Sequence, residues 1–516
     1  MISVVVRFRN EITYLEAVLV AIRSQTIRET VEVVAVDNLS DDGSRAIAAR
    51  YADVLLDIDD YRPGAALNKA IDVCSGTAVV ILSAHAIPAN DTWLNSLASW
   101  LANPAVLGTY GGQLYPITSR FLDKRDLDIF SSLRPRTEER DSDFWNANSI
   151  FQRKSWEKER FDETVFELED HYWTKCHLSR GDQWVRFEPS ALVYHYGHDK
   201  RNDRTFLPPS KLSDEQRIGQ AIAILESSEE TWPATMSAGL TLSSLSHVPA
   251  VTSAIPALGH TLVTHEDFDV RWRVAGALGR IRSEASAAHL VRALADPSFY
   301  ARDEAAWSLG RLGRLAVGEL NRTWASLSLE HLPFAALAMG LTGDPTAGRA
   351  AIDILRRCAG EGDRAVRLDS LYFLGEIART PEAASLAPMI AAHLTADDDD
   401  ELVRAATWCW GMLVVDHPEA AAENTGDILD LMYRHPVETI RYEAVVALGK
   451  ATNTWPSSGL ARHLADALHD GAGRVRYAAM QSLRLLAPDA DLSVAHDSDS
   501  DFGVLFERQL LMRQVR

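Results

Sequence analysis

Residues 79–88 read VVILSAHAIP and decide how the first part of the chain folds. Four apolar residues are followed at once by Ser83, Ala84 and His85. This pattern predicts a buried strand whose C-terminal tip opens into a loop. In an open α/β sheet, ligands bind at such tips. His85 is therefore a candidate functional residue, although a structural role as a hydrogen-bonded core histidine stays open.

The residues before this strand alternate between strand and helix patterns. β-Branched runs at 2–7 and 31–36 predict two buried strands, and a shorter apolar run at 54–56 predicts a third. The segments between them carry helical signals, so the order is βαβα and predicts a parallel, doubly wound sheet. Two further strands, predicted at 185–187 and 191–194, close this domain.

Length, charge and cysteine usage exclude several classes of protein. A chain of 516 residues is too long for one core, so at least two domains are expected. The formal net charge of -20 argues against nucleic acid or an anionic membrane as the main partner, because phosphates would repel it. The four cysteines show no C-x-x-C spacing, which predicts neither a zinc site nor a disulfide framework. With no signal-peptide pattern and no apolar run of membrane-spanning length, we expect a cytoplasmic protein.

An internal repeat follows a Ser-, Pro- and Ala-rich connector. An arginine early in a predicted helix precedes small residues and then an apolar–glycine pair, as in Val270–Gly279 and Ala301–Gly310. The pattern recurs, in places degraded, at 333–340, 366–375, 403–411, 440–449 and from Val475. A spacing of about 30 to 37 residues is typical of helix pairs stacked into a solenoid. The repeats resemble HEAT repeats, in particular the short bacterial type of phycobilin-lyase-like proteins, over roughly 267–486.

These features divide the chain into three predicted parts. The first is an α/β domain at residues 1–205, the second a helical connector or cap at 206–265, and the third an all-α, HEAT-like solenoid at 266–516. A solenoid buries its faces only by stacking, and its usual role is to offer an extended surface to a partner. We therefore expect the third part to bind a partner.

Polar side chains follow three predicted elements of the first domain. Asp37 ends the second strand, His85 follows the fourth, and Glu169 and Asp170 begin a later helix. Because the carboxyl ends of parallel strands meet at one edge of a sheet, these groups are expected around one ligand.

The same segments carry a resemblance to a known family. They are ISVVVRFRNE at 2–11, VDNLSDDGS at 36–44, GAALN at 64–68, the strand at 79–88, FDE at 161–163 and ED at 169–170. Jointly they resemble a family 2 glycosyltransferase with the GT-A fold, closest to the rhamnosyltransferase-like members, over roughly residues 1–200. The resemblance implies a Rossmann-like, mainly parallel sheet and an inverting enzyme that uses a nucleotide-diphosphate sugar as donor.

The largest departure from the family lies at the tip that opens this section. The family normally carries D-x-D there, and its carboxylates hold a metal ion on the donor diphosphate. Here both acidic positions are lost, to Ser83 and His85. The resemblance leaves His85 as a metal ligand together with His195 or His198, which stand where the family has a late histidine; the alternative is direct contact of His85 with the phosphate. An imidazole suits Mn²⁺ better than Mg²⁺, and whether a divalent cation is needed stays open.

The nucleotide is expected at Asp37, whose carboxylate would accept hydrogen bonds from the base or the ribose. The alternative for Asp37 is a helix N-cap. Further candidates for nucleotide and phosphate contacts, each with the alternative of a solvated strand-end residue, are Arg7, Arg9, Arg62, Asn68 and Ser83.

The E-D pair of the family implies the catalytic carboxylate. Direct displacement at an anomeric carbon needs a base on the face opposite the leaving group. The resemblance assigns this role to Asp170, with Glu169 beside it for substrate hydroxyls. The alternative is that two carboxylates at a helix start merely oppose its dipole.

The expected function is an inverting glycosyltransferase with a glycan, peptide or protein, or natural-product acceptor, in which the solenoid binds the acceptor or a protein partner. The competing interpretation is a catalytically silent GT-A domain in a protein-binding scaffold built on HEAT repeats. The retained Asp37, Glu169 and Asp170 favour the enzyme.

Overall fold

The computed structural model describes residues 1–117, 135–139, 144–196, 210–227, 230–396, 399–455, 459–486 and 499–514. Contacts between residues divide the chain into two compact units. The first comprises Met1–Asn202 with Leu464–Arg516, and the second comprises Asp203–His463. In chain order, the second unit is thus inserted between two segments of the first. Residues 464–516, which the repeat pattern assigned to the solenoid, are grouped with the first unit.

The first unit contains a mixed sheet, nine-stranded within the described residues. The strands are β1 Ile2–Phe8, β2 Val31–Asp37, β3 Val54–Asp57, β4 Ala78–Ser83, β5 Ala86–Pro88, β6 Val106–Leu114, β7 Arg136–Glu138, β8 Asn148–Gln152 and β9 Trp184–His195. Their order is β3-β2-β1-β4-β8-β6-β9-β5, and β7 pairs with β9. The first four strands pair in parallel, as predicted. β8 lies antiparallel between β4 and β6, which makes the sheet mixed.

Two predicted strand assignments differ from the structure. The strand predicted at 79–88 is divided, since β4 ends at Ser83 and β5 pairs antiparallel with the end of β9. The two strands predicted at 185–187 and 191–194 are one strand, β9. Its pairing with β6 is interrupted after Glu188 and resumes at Val193. Pro189 lies in this interruption, where its missing amide hydrogen costs no ladder bond.

The described helices of the first unit that precede residue 203 alternate with the strands up to β4, as predicted. They are α1 Leu15–Arg23, α2 Ser44–Tyr51, α3 Pro63–Val73, α4 Trp93–Ala98, α5 Arg153–Lys158 and α6 Glu169–Leu178. α3 begins with proline at its first position, where no intrahelical N–H bond is lost. Gly64 follows, and a Cβ there would lie 2.4 Å from the carbonyl oxygen of Asp162. The entry of α3 is therefore packed directly against the segment that leads to α6.

The second unit is built from helices. They are α7 Asp214–Glu226, α8 Trp232–Ser244, α9 Ile255–Thr264, α10 Phe268–Ile281, α11 Glu284–Ala293, α12 Phe299–Leu312, α13 Arg314–Thr323, α14 Leu332–Leu341, α15 Pro345–Glu361, α16 Arg364–Glu376, α17 Ala387–Ala396, α18 Asp400–Asp416, α19 Pro418–Ala422, α20 Thr425–Arg434 and α21 Glu438–Thr454. Short 3₁₀ segments lie at Pro249–Ala254, Trp324–Ser326 and Pro381–Leu386. Three helices follow, α22 Leu460–Asp466, α23 Gly473–Leu486 and α24 Phe502–Gln514, with a 3₁₀ turn at Ala467–His469. Within the part of the chain described, none of the helices has the length and apolar character needed to cross a membrane.

The repeated arginine has a common structural role. In α10, Arg271 Nη1 donates to the carbonyl oxygens five and six residues earlier, each at 2.8 Å. The arginines that make the same pair of bonds are Arg302, Arg441 and Arg476. Each guanidinium thus satisfies carbonyl groups of the turn that precedes its helix. In these four repeats the arginine closes the loop before its helix.

Candidate functional site

The tips of three parallel strands meet at one edge of the sheet. In the register of β1 with β2, Phe8 lies opposite Asp37, and in that of β1 with β4, Arg7 lies opposite Ser83. Residues predicted from three separate stretches are therefore neighbours. This edge is where an open α/β sheet binds ligands.

Asp37 is buried at the end of β2. Its Oδ1 accepts a hydrogen bond of 3.0 Å from the backbone N–H of Ser40. Its Oδ2 lies 3.7 Å from Arg45 Nη1, and Arg45 also pairs with Asp57. The carboxylate thus shapes the turn after β2, and it lies beside a cation that the sequence did not indicate.

Glu169 and Asp170 are buried next to the end of β1. Arg7 Nη1 lies 3.5 Å from Glu169 Oε1. Burial, followed by the charge of Asp170, raises the pKa of Glu169, and Arg7 opposes the shift. Burial opposes protonation of Arg7, but Tyr61, Glu169 and Asp170 raise the pKa of its guanidinium overall. The guanidinium therefore stays charged beside the two carboxylates.

Backbone N–H groups hold the Asp170 carboxylate in place. Oδ2 accepts a bond of 2.7 Å from the N–H of Asn146, and Oδ1 accepts one of 3.0 Å from that of His171. Leu168, the N-cap of α6, has a φ of 60°, which is unusual for a residue with a branched side chain. Such strained conformations cluster at functional sites. The two carboxylates also occupy the first turn of α6. The same geometry therefore fits the alternative that they oppose the dipole of this helix.

His85 and His195 lie beside each other beyond these strand tips. Their rings are stacked, with centroids 4.9 Å apart and planes 8° from parallel. His85 Nδ1 is 3.0 Å from Glu11 Oε1. The other face of His195 is packed by Tyr115, with centroids 5.3 Å apart. The antiparallel pairing that sets Ala86 opposite His195 brings the two imidazoles together.

Comparison with protein families identifies the domain that contains Arg7, Asp37 and His85. The family model of glycosyl transferase family 2 matches residues 3–165. Residues 3–165 form a family 2 glycosyl transferase domain. A model of HEAT repeats matches residues 222–313. Glu169 and Asp170 lie just beyond the first match, and no curated protein matches the chain.

Solved structures similar to this chain include glycosyltransferases. A mannosyltransferase from Pyrobaculum calidifontis, in complex with GDP-Man and Mn2+, is 18% identical with a TM-score of 0.32, and the match covers 60% of this chain and 85% of that one. Residues 1–349 of S. aureus TarS, in complex with UDP, are 14% identical with a TM-score of 0.32 and coverages of 62% and 91%. A mycobacterial protein is 16% identical with a TM-score of 0.31 and coverages of 47% and 74%.

The two described histidines of the predicted metal site, His85 and His195, do not converge on one ion. The lone pairs of an imidazole lie in its ring plane, so two stacked, nearly parallel rings cannot both point at one ion. Within the described ranges, no group of three or more His, Cys, Asp or Glu residues is arranged to hold a metal ion. His198 lies outside those ranges. The arrangement offers a cation at most one of the two imidazoles, His85 or His195.

The residues predicted to contact the nucleotide differ in how far they are buried. Asn68 is buried, and its amide bonds to the Phe161 backbone, Glu163 Oε1 and Trp156 Nε1. This side chain holds the 161–163 segment against α3, and its hydrogen-bonding groups are already used. Arg9 is exposed, and Arg62 is partly exposed, with Nε 3.6 Å from the carboxylate of Asp60. The two arginines remain available to a phosphate.

Three residues that contribute to this site were not identified from the sequence. Glu11 bonds His85, Arg45 lies beside Asp37, and Tyr115 packs on His195. Glu11 ends the first quoted motif, so its position after β1 was the available signal. Arg45 and Tyr115 carry no local signal, because their contacts depend on how strands pair.

Proposed function

We propose that the chain is an inverting glycosyltransferase that moves a sugar from a nucleotide-diphosphate sugar to an acceptor hydroxyl or another nucleophile. The observation that carries the proposal is the buried Glu169–Asp170 pair beside Arg7, at the strand-tip edge of a family 2 glycosyl transferase domain. In this proposal Asp170 is the base. The two backbone N–H bonds fix the orientation of its carboxylate, as the role of a positioned base requires.

The neighbouring groups divide the remaining tasks of the reaction. Glu169, whose pKa burial raises, can bind a substrate hydroxyl as donor or acceptor. Asp37 receives the base or ribose of the nucleotide, and Arg9 and Arg62 face the charge of the diphosphate. His85 contacts the donor diphosphate directly, because its ring and that of His195 are stacked and do not converge on one ion. The repeats of the second unit hold the acceptor, a glycan or a peptide, or a protein partner.

A donor panel tests the reaction. The full chain is incubated with a set of nucleotide sugars, with Mn²⁺, with Mg²⁺ or with EDTA, and release of the nucleotide diphosphate is followed. We expect slow hydrolysis of at least one donor even without an acceptor. A chain that neither binds nor hydrolyses any donor would instead be the silent domain of a scaffold.

The variant Asp170→Asn tests the assigned base. Loss of a positioned general base lowers the rate by about 10²- to 10⁴-fold, while the donor Kd should change little, since the amide keeps the size of the side chain. Asp182→Asn is the matched control, because Asp182 is exposed just after α6. Equal turnover in the two variants would remove Asp170 from the role of base.

A further inference from the structure

At its C-terminal end, strand β9 has two chemically different faces. Successive side chains of a strand point to opposite sides, so Tyr194 and Tyr196 face away from His195. His195 stacks on His85. The Tyr194 hydroxyl donates a bond of 2.7 Å to Asp501, and the Tyr196 hydroxyl donates one of 2.8 Å to Glu507. Both acceptors belong to the C-terminal segment of the first unit.

These two hydrogen bonds are part of a buried and satisfied network. Glu507 is 0% exposed and also accepts bonds from Gln481 Nε2 at 2.7 Å and Arg484 Nε at 2.8 Å. Burial raises the pKa of Tyr196 well above its usual range, so its hydroxyl stays a donor. Every polar group of such a network restricts the others, because leaving one unpaired in the interior is costly.

Asp501 links the start of α24 to the same strand. Its Oδ1 accepts bonds from the N–H groups of Gly503 and Val504, at 2.9 and 3.1 Å, while its Oδ2 receives Tyr194. At Gly503 a Cβ would lie 2.3 Å from Cδ2 of Tyr194, so the first turn of α24 touches that ring directly. Only glycine allows this approach.

The C-terminal segment also reaches the other strands that frame the imidazoles. The N–H of Phe502 donates to the carbonyl of Ala89, directly after β5, at 2.8 Å. The N–H of Ile117, beyond the end of β6, donates to Gln481 Oε1 at 2.9 Å. The ends of β5, β6 and β9 are thus all bonded to one segment. β5 follows His85, and β9 ends at His195.

We propose that Asp501 and Glu507 are positioning residues, which fix the tip of β9 and thereby the His85–His195 stack at the donor edge of the site. The inference rests on the proposed function for its effect on turnover. In this proposal the segment Leu464–Arg516 supports the site of the glycosyl transferase domain. The second unit is inserted ahead of this segment, so both ends of its chain are joined to the domain that carries the site.

The test compares two tyrosine-to-phenylalanine variants of the full chain. Tyr196→Phe removes the bond to Glu507, and Tyr51→Phe removes a similar bond of 3.0 Å to Glu16 on α1 of the same unit. Donor hydrolysis gives kcat and KM, and hydrogen exchange reports the amides of residues 86–87 and 193–196. Misplacement of a positioned group costs up to about 10²-fold in rate. We expect Tyr196→Phe to lower kcat by about 10-fold or more with KM within about threefold, and to speed exchange at these amides. Tyr51→Phe should change neither.

Each outcome decides the proposal. Wild-type kcat in Tyr196→Phe, with exchange at 86–87 and 193–196 accelerated, would overturn the link to the site. Unchanged exchange would overturn the positioning itself. If Tyr196→Phe folds poorly, Tyr194→Phe replaces it, since it removes the corresponding bond to Asp501 and should have the same two effects. A wild-type chain without any donor turnover would overturn the proposed function instead, and the exchange measurement would still decide whether the network holds β9.

Discussion

Removing the charge of Arg7 should destabilise the first unit far more than removing an arginine from its surface. Arg7 Nη1 lies 3.5 Å from Glu169 Oε1, with side chains only 18% and 11% exposed. At an effective dielectric constant of about 20, two unit charges at this distance attract by about 5 kcal/mol. Arg7→Met leaves Glu169 and Asp170 side by side without this cation. Loss of one partner of a buried pair costs about 3–5 kcal/mol, which is the expected fall in unfolding free energy.

Two further variants isolate the buried charge as the cause. Arg50→Met removes an ion pair of 2.9 Å with Glu16, but Arg50 is 57% exposed, and such surface pairs contribute about 0–1 kcal/mol. The double variant Arg7→Met/Glu169→Gln removes both members of the closest ion pair and leaves Asp170 with its two backbone N–H bonds. It should recover most of the loss, and the resulting cycle measures the coupling between the two side chains.

The assay must report the two units separately, since one unfolding free energy is not defined for a chain of two units. Pulsed thiol labelling in urea does so. Cys74 is 3% exposed in the core of the first unit, and Cys358 and Cys409 are 0% and 1% exposed in the second. Arg7→Met should shift labelling of Cys74 and leave that of Cys358 and Cys409 unchanged. A Cys74 midpoint equal to that of Arg50→Met, or a double variant as unstable as Arg7→Met, would refute the reasoning.

Two more predictions concern the rest of the molecule. Burial raises the pKa of Asp369 to about 7, with Arg302 opposing the shift. An unfolded aspartate titrates near pH ~3.9, so the folded chain binds this proton more tightly. The second unit should therefore lose up to about 4 kcal/mol of unfolding free energy as the pH rises from about 4 to above 7. Asp369→Asn should remove this pH dependence, measured as the labelling midpoint of Cys409 against pH. An unchanged pH dependence would contradict the assignment. Asn148→Ala should lower the unfolding free energy of the first unit by at least about 3 kcal/mol. The buried amide accepts a bond from Trp93 Nε1 and donates to the carbonyls of Gly112 and Ala191, and all three groups would lose their partner. A smaller shift in Cys74 labelling would show that these groups find other partners.

The elements of the first unit were predictable where the signal is local. The four parallel strands follow from contiguous apolar runs, and α3 starts at the proline that the sequence offers. In the second unit, Ser213 and Gln216 form a capping box with both of its hydrogen bonds. Apolar spacing, caps and proline act within one or two turns of chain, so a sequence alone carries this information.

The site was predictable only as far as the strand tips determine it. Parallel register brings Arg7, Asp37 and Ser83 to one edge whatever their rotamers. The orientation of His85 and His195 does not follow from register along the chain, because it depends on β5 turning back to pair with β9. His85 and His195 are therefore neighbours whose rings do not converge on one ion, and metal binding by His85 with His198 stays a prediction.

The end of the repeats shows most clearly what a local pattern cannot decide. Arg476 makes the same two bonds to its preceding turn as Arg271 does in the second unit, so the repeat continues into α23. Contacts nevertheless group α23 and α24 with the first unit. Two hydrogen bonds join residues 307 and 311 positions apart within this unit, Tyr194 with Asp501 and Tyr196 with Glu507. A helix pair can therefore belong to a solenoid by its sequence and to a catalytic domain by its packing. A truncation placed where the second unit ends would remove the acceptors of both tyrosines and leave two buried hydroxyls unpaired beside the site.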